Sequence, residues 1–219
     1  MINLSKPSNM VLIVFAAILL ACTSGNSSQQ AGFVPPQLAE GESKAYFASG
    51  CFWCVEAIFE SVKGVSEVVS GYSGGEELNP TYRQVARGAT GHAEAVEVYY
   101  DPEVVSFETL VEVYYGSHNP TTVNGQAPDF GRQYRSVIFY QNDEEKAIAE
   151  RWKSKVASDY DEPIATEITS FEKFWPAEEY HQDFEVKNPY QPYVQAVSIP
   201  RLKKFQSKFP HLLKDNSAH

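Results

Sequence analysis

The rhythm of apolar and polar positions changes after Pro36. Before it, Met10 to Ala21 is an unbroken apolar run, too short to span a bilayer and suited to the core of an export signal. Thr23 to Gln30 is polar and aperiodic, and with Pro35-Pro36 it reads as linker. After it, the pattern becomes periodic. Lys44 to Ala48 reads as a strand. Val55, Ile58, Phe59 and Val62 follow helical spacing, so Phe52 to Val62 reads as a helix closed by Gly64. Val65 to Tyr72 is a strand ended by Ser73-Gly74-Gly75, and Ala93 to Tyr100 is a strand stopped by Asp101-Pro102. Ser106 to Tyr115 is a helix with Ser106 as N-cap and Gly116 behind it. A long loop runs from His118 to Tyr134. Ser136 to Tyr140 is a strand, Asp143 to Ser158 a helix rich in Glu, Lys and Ala, and Ile164 to Ile168 a strand. Pro176 to Phe184 and Pro200 to Phe209 read as short helices.

Strands and helices alternate through irregular connections. The pattern predicts an α+β fold, a two-layer sandwich of helices on a mixed sheet with a ferredoxin-like core, in one domain over residues 44–211. A loop as long as His118 to Tyr134 inside such a domain points to function.

The ends carry different information. Residues 1–21 read as a signal peptide, with Lys6 as its positive end. Leu19-Leu20-Ala21-Cys22 resembles a bacterial lipoprotein cleavage site, which would make Cys22 the lipidated N-terminus, residues 22–43 a flexible tether and 212–219 a tail. An ordinary secretory signal with an incidental cysteine is the other reading. Both export the protein into a compartment where disulfides form. The first makes it a membrane-anchored lipoprotein at the periplasmic face or the cell surface. Net charge is −10, and −11 without residues 1–21, which hold one Lys and no acid. Such a surface excludes nucleic acid and electrostatic docking on anionic lipid, and leaves the lipid anchor as the one membrane contact.

After Cys22 the chain has two cysteines, Cys51 and Cys54, in Gly50-Cys51-Phe52-Trp53-Cys54. The segment ends a strand and opens a helix, so Cys51 faces a helix N-terminus, where thiolate is favoured. Alternation puts Glu94 on the face of Val96 and Val98, with Glu97 on the other face. A carboxyl turned into a core has a raised pKa and suits a general acid; a strand-edge Glu bent toward solvent fits the pattern equally. Asp129 and Tyr134 stand at the mouth of the next strand, and Tyr82 follows the Asn79-Pro80 turn. Each could orient a small polar ligand, or cap a turn and pack in the core.

Gly50 to Cys54, Tyr82 to Val85, Gly91 to Val96, His118 to Thr122, Gly131 to Ser136 and Pro176 to Asp183 together resemble the A-type peptide methionine sulfoxide reductases. The resemblance spans Lys44 to Tyr193. It implies that Cys51 attacks the sulfoxide sulfur and that Phe52 and Trp53 hold the substrate methyl group. It makes Glu94 the proton donor to the sulfoxide oxygen, with Tyr82 and Tyr134 hydrogen-bonding that oxygen and Asp129 lining the site. It further implies selection of the S-epimer, a sulfenic acid on Cys51, oxidised proteins as substrates, a thioredoxin-like reductant, a monomer, and no bound cofactor or metal. Many relatives carry resolving cysteines near the C-terminus, whereas the stretch Tyr193 to His219 has none. Cys54 is therefore expected to resolve the sulfenic acid as a Cys51–Cys54 disulfide; direct reduction of Cys51 by an external thiol is the alternative. An exported thiol–disulfide oxidoreductase would also use the cysteine pair, but would leave Glu94 and the Gly131 to Ser136 segment without a role.

Overall fold

The periodic segments close into one six-stranded sheet. The computed structural model describes Met1 and residues 33–215, so the signal, Cys22 and the first part of the tether lie outside the described residues. The strands are β1 (Ser43–Ser49), β2 (Val65–Ser73), β3 (Ala93–Tyr100), the short pair β4 (Gly125–Gln126) and β5 (Asp129–Phe130), then β6 (Ser136–Tyr140), β7 (Glu167–Ser170) and β8 (Phe174–Pro176). The helices are α1 (Phe52–Glu60), α2 (Tyr82–Ala86), α3 (Phe107–Gly116), α4 (Asp143–Val156), α5 (Phe184–Lys187) and α6 (Ile199–Lys208). The main sheet runs β7-β6-β1-β3-β2-β8. Its neighbours are antiparallel except β6 and β7, which are parallel. The path β1-α1-β2-β3-α3-β6 with spatial order β6-β1-β3-β2 is the ferredoxin-like arrangement on a mixed sheet that the alternation predicts.

Period-two alternation divides the strands between two cores. Ala45, Phe47, Val96, Val98, Val68 and Ile138 face the helices, where Phe47 stacks on Phe59 of α1 at 5.0 Å. Tyr46, Ala48, Val69, Ala95, Val137 and Phe139 form the second core on the opposite face. Glu97 belongs to that second face, as its register requires. It accepts from Tyr46 Oη at 2.9 Å, Tyr99 Oη at 2.8 Å and Lys44 Nζ at 3.1 Å. The end of the expected tether lies against this face too: Phe33 packs on it, and Tyr99 Oη donates to the Pro36 carbonyl at 3.1 Å.

Helix ends obey local chemistry. Ser106 caps α3 by accepting from Thr109 N, and Asn142 caps α4 by accepting from Glu145 N. The first helix stops earlier than its apolar spacing predicts. Ser61 Oγ bonds back to the Ile58 carbonyl at 2.7 Å, and Val62 leaves the helix to bridge Leu213. The predicted strand Ile164 to Ile168 is displaced to Glu167–Ser170, with Ile164 spent on the core.

The predicted helix Pro176 to Phe184 is instead a strand end, a 3-10 turn at Glu179–His181, and the start of α5. The cause is Gln182. Its side chain accepts from Ser70 N at 2.9 Å and donates to Ser70 O at 3.0 Å and Ala177 O at 3.1 Å, holding the segment extended against β2. Close approach there depends on Gly71, paired with Pro176. A Cβ on Gly71 would lie 2.4 Å from the Trp175 carbonyl oxygen and 2.4 Å from the Phe174 ring. Gly71→Ala is expected to lower unfolding stability by about 1–3 kcal/mol through overpacking. Its denaturant midpoint against that of the parent checks this.

Candidate active site

The chain leaves β1 at Gly50, whose φ of 95° lies in the left-handed region. A Cβ there would meet Gln126 Cβ at 2.9 Å and Arg201 Nη1 at 3.4 Å. This turn delivers Cys51 as the N-cap of α1 and puts Cys54 one turn later. Both are free thiols, 6% and 1% exposed, and their titrations are linked.

Glu94 faces the helix layer, as its alternation with Val96 and Val98 predicts, and is 2% exposed. Its Oε2 accepts from the Phe52 N–H at 3.1 Å. The carboxyl of β3 thus occupies the first free amide of α1, directly beside Cys51. Burial raises its pKa to about 8; the Phe52 amide opposes that rise, while Asp129 and Cys54 add to it. Glu94 is therefore a carboxylic acid that keeps its proton at neutral pH.

The thiols divide differently from the expectation drawn from the helix start. Burial pushes the Cys51 thiol well above the ordinary range, and Cys54 and Glu94 push it the same way. Cys54 is drawn down to about 6 by the hydrogen bond from Cys51, and by Arg201, Ser198 and Tyr193, against its own burial. A helix N-terminus alone does not make Cys51 a thiolate here, because burial outweighs it; the first amide of that helix is moreover taken by Glu94. Charge in the resting pair sits on Cys54, with Cys51 donating to it.

Aromatic rings wall the space in front of the sulfurs. Phe52 lies 5.2 Å from His181 and 6.2 Å from Tyr82, nearly parallel to the latter. Trp53 is held on its edge and its face: Nε1 donates to His181 Nδ1 at 3.2 Å, and the indole stacks on Phe184 at 3.7 Å and 7°. Burial takes the pKa of His181 down to about 4, so it stays neutral and accepts this bond. Tyr82 sits at the start of α2, where its amide donates to Glu178 Oε1 at 3.1 Å and its ring lies 4.2 Å from His181. Gln133 Nε2 reaches the Ala86 carbonyl at 3.0 Å and ties the turn carrying Tyr134 to α2. Burial lifts Tyr82 to about 12 and Tyr134 higher still, and the nearness of Glu94, Cys51 and Asp129 adds to the rise of both. Asp129, on β5, accepts a short hydrogen bond from Tyr193 Oη, and burial raises its carboxyl.

The structure brings Cys51, Phe52, Trp53, Cys54, Tyr82, Glu94, Asp129 and Tyr134 into one neighbourhood, linked by the bonds, ring contacts and charge interactions above; Cys22 lies outside the described residues. The sequence reading missed His181, Phe184, Tyr193, Ser198 and Arg201. His181 was inside a recognised segment and carried a visible signal. Arg201 had none: its guanidinium reaches the site by donating to Ser49 O at 2.9 Å and Ser117 O at 3.0 Å. Among the described residues, Glu60, Glu67 and Asp183 have carboxylates close enough to share an ion; Cys51 and Cys54 belong to no such group.

A buried thiol pair, a protonated carboxylic acid beside it and an apolar aromatic wall define a thiol-dependent reductase for a group that is part apolar and part oxygen. The sequence profile of the peptide methionine sulfoxide reductases matches residues 43–213. The chain is 49% identical over 174 residues to the peptide methionine sulfoxide reductase MsrA 1 of Rhodopirellula baltica, covering 80% of this chain and 91% of that one. Its fold is similar to methionine sulfoxide reductase A of Corynebacterium diphtheriae (TM-score 0.64, 35% identity, 71% of this chain and 80% of that). It is also similar to reduced Mxr1 of Saccharomyces cerevisiae (TM-score 0.67, 32% identity, 71% and 91%). The chain belongs to the peptide methionine sulfoxide reductase family and is an enzyme of its A type.

An acid that must be protonated loses function as pH rises through its pKa. The kcat of the enzyme is expected to fall as pH passes about 8. Glu94→Gln is expected to lower kcat by about 10²-fold or more and to abolish that alkaline limb. Steady-state pH profiles of both proteins check this.

Proposed function

We propose that this enzyme reduces the S-epimer of methionine sulfoxide in oxidised proteins, with Cys51 as nucleophile and Glu94 as acid. The observation that carries the reading is the Glu94 carboxyl at 3.1 Å from the Phe52 amide, which puts a neutral acid beside the Cys51 sulfur. The S-methyl group has no hydrogen-bonding capacity and packs on Phe52 and Trp53. The sulfoxide oxygen turns to Glu94, Tyr82 and Tyr134. Methyl, oxygen and side chain then have separate places, and one configuration at sulfur fits.

Cys51 Sγ attacks the sulfoxide sulfur while its proton passes to the neighbouring Cys54 thiolate. Glu94 gives its proton to the oxygen; the transient bond between Cys51 Sγ and the substrate sulfur and the substrate S–O bond then break as the hydroxyl passes to Cys51 as Cys51–S–OH. Methionine leaves, with Cys54 a thiol and Glu94 a carboxylate. Cys54 then resolves the sulfenic acid as a Cys51–Cys54 disulfide, releasing water. A thioredoxin-like dithiol protein reduces that disulfide. The N-terminal pattern supports export as a lipoprotein anchored through Cys22, so the donor is a thioredoxin-like protein on the same side of the membrane.

The test uses residues 23–219 with separated S- and R-epimers of a methionine sulfoxide peptide. With dithiothreitol, turnover of the S-epimer alone is expected, and none in Cys51→Ser. Reduction of insulin disulfides with no sulfoxide turnover would move the reading to a thiol–disulfide oxidoreductase. In Cys54→Ser, a persisting sulfenic acid and a roughly tenfold or greater loss of thioredoxin-driven turnover are expected. Unimpaired turnover would assign Cys54 to packing. Metabolic labelling with a fatty acid, lost in Cys22→Ala, checks the anchor.

A further inference from the structure

Charge is unevenly spread along this chain. From Asn188 to Lys214 there is no Asp or Glu, while Arg201, Lys203, Lys204, Lys208 and Lys214 all lie in that stretch. Of the 28 acids only Asp215 follows it, so residues 1–187 hold 27 acids against 13 of the 18 basic side chains, a balance of −14. The C-terminal segment is the cationic end of an acidic molecule.

The fold sets that charge beside an apolar groove. Val194–Ser198 is π-helical and runs directly into α6. Between α5 and α6 lies a groove of about 270 Å³, lined by Val186, Pro189, Ile199 and Leu202 with Lys203 on its wall. Val186 is 56% exposed, and Tyr190, one turn further along the chain, is 91% exposed. Lys203 and Lys204 are exposed too, and among the described residues neither forms an ion pair. An aromatic ring left in water beside an apolar groove marks an interaction surface, and the lysines give it a sign.

This surface is the outer side of the wall that encloses the thiols. Tyr193 heads the π-helical turn and holds its hydroxyl 3.8 Å from Cys54 Sγ. Phe184 opens α5 and stacks on Trp53 at 3.7 Å. The same two segments thus show one side to the Cys51–Cys54 pair and the other to solvent. The tyrosines assigned to the sulfoxide oxygen come from other elements, Tyr82 from α2 and Tyr134 from the turn before β6.

We propose that this patch docks the reducing protein, a thioredoxin-like dithiol protein with an apolar, acidic surface around its reactive thiol. This deepens the function proposed above and rests on its thioredoxin-like recycling. Charge selects the occupant. An acidic partner is repelled by the rest of the molecule and attracted here, so it arrives in one orientation. Client proteins do not fit that logic. Methionine sulfoxide forms in proteins of either sign, and a repair enzyme that sorted them by charge would leave many unrepaired. The reductant, by contrast, is met at every turnover. Once docked, its thiolate attacks one sulfur of the Cys51–Cys54 disulfide, breaking that S–S bond and forming an intermolecular one. Its second thiol attacks the new bond in turn. The enzyme ends with two thiols and the partner with a disulfide, so two electrons and two protons have passed to the enzyme.

The test measures reduction of a methionine sulfoxide peptide with two reductants. One is an acidic thioredoxin kept reduced by NADPH and thioredoxin reductase. The other is dithiothreitol, which needs no docking surface. Lys203→Glu combined with Lys204→Glu is expected to lower kcat/KM for thioredoxin roughly tenfold or more at low salt. The gap from the parent should narrow as salt rises, and Lys203→Arg with Lys204→Arg should keep the parent value. Tyr190→Ala is expected to cost about fivefold or more at any salt. Turnover with dithiothreitol should stay at the parent level in every variant, which also shows that each has folded. Parent-like thioredoxin kinetics in the Glu and Ala variants overturns the proposal and leaves the recycling route standing. An equal loss with dithiothreitol overturns it too. So does a raised KM for an oxidised client protein under dithiothreitol, which would make the patch a client site. Loss of binding to phosphatidylglycerol vesicles in the Glu variant, with thioredoxin kinetics unchanged, would make it a lipid contact and overturn it as well. If the parent turns over with dithiothreitol but not with thioredoxin, the recycling reading falls and the docking surface with it.

Discussion

One buried hydrogen bond organises this molecule. Glu94 stands on the central strand β3, yet its carboxyl reaches across the layer boundary to the first amide of α1. A helix start leaves its first N–H groups without partners inside the helix. A carboxyl placed there would ordinarily ionise, as an anion at a positive helix end. Burial wins instead, and the group stays an acid. Because Oε2 accepts from the amide, the remaining oxygen is free to present the proton to a ligand. The same contact that fixes the helix to the sheet therefore fixes the Glu94 carboxyl beside Cys51.

The rest of the site is supplied from the second half of the chain, which wraps the start of α1. Gln182 pins the strip from Ala177 to Gln182 to β2, and that strip brings Glu178 and His181 to Tyr82 and Trp53. Trp53 is clamped by rings from other elements before any ligand arrives. An apolar group packed on that indole would meet an ordered surface, so little side-chain freedom would remain to be lost on binding. Past Tyr193 the π-wound segment and α6 contribute the groups around Cys54. The sheet and α1 thus hold Glu94 and the two thiols, while the C-terminal segment shifts the charge of Cys54.

Strand alternation made most of the fold legible, because a sheet buried on both faces writes its two cores as odd and even positions. Ala93 to Tyr100 carried enough of that signal to assign Glu94 and Glu97 to opposite faces. Segments ruled by single side chains were illegible. Gln182 converts an expected helix into extended chain through three backbone contacts, and no periodicity encodes that. Ser61 ends α1 early in the same way. Within the site, residues in recognised segments were found. Arg201 and Ser198 were not, since their role arises from where α6 packs. The charge distribution of the thiol pair was read in part: the helix start was visible in the sequence, but the occupant of its first amide was a residue 42 positions away from Phe52.

The dependence of Cys54 on Tyr193, Ser198 and Arg201 has a temporal side. Ribosomes deliver Cys51 and Cys54 early and these three groups near the end. Until α6 docks, the sulfurs lack both the guanidinium and the hydroxyls that draw charge onto Cys54. A nascent or partly folded chain therefore carries two ordinary thiols. Full redox reactivity arrives only with the last elements of the domain, so the chain keeps its most vulnerable atoms quiet until they are enclosed.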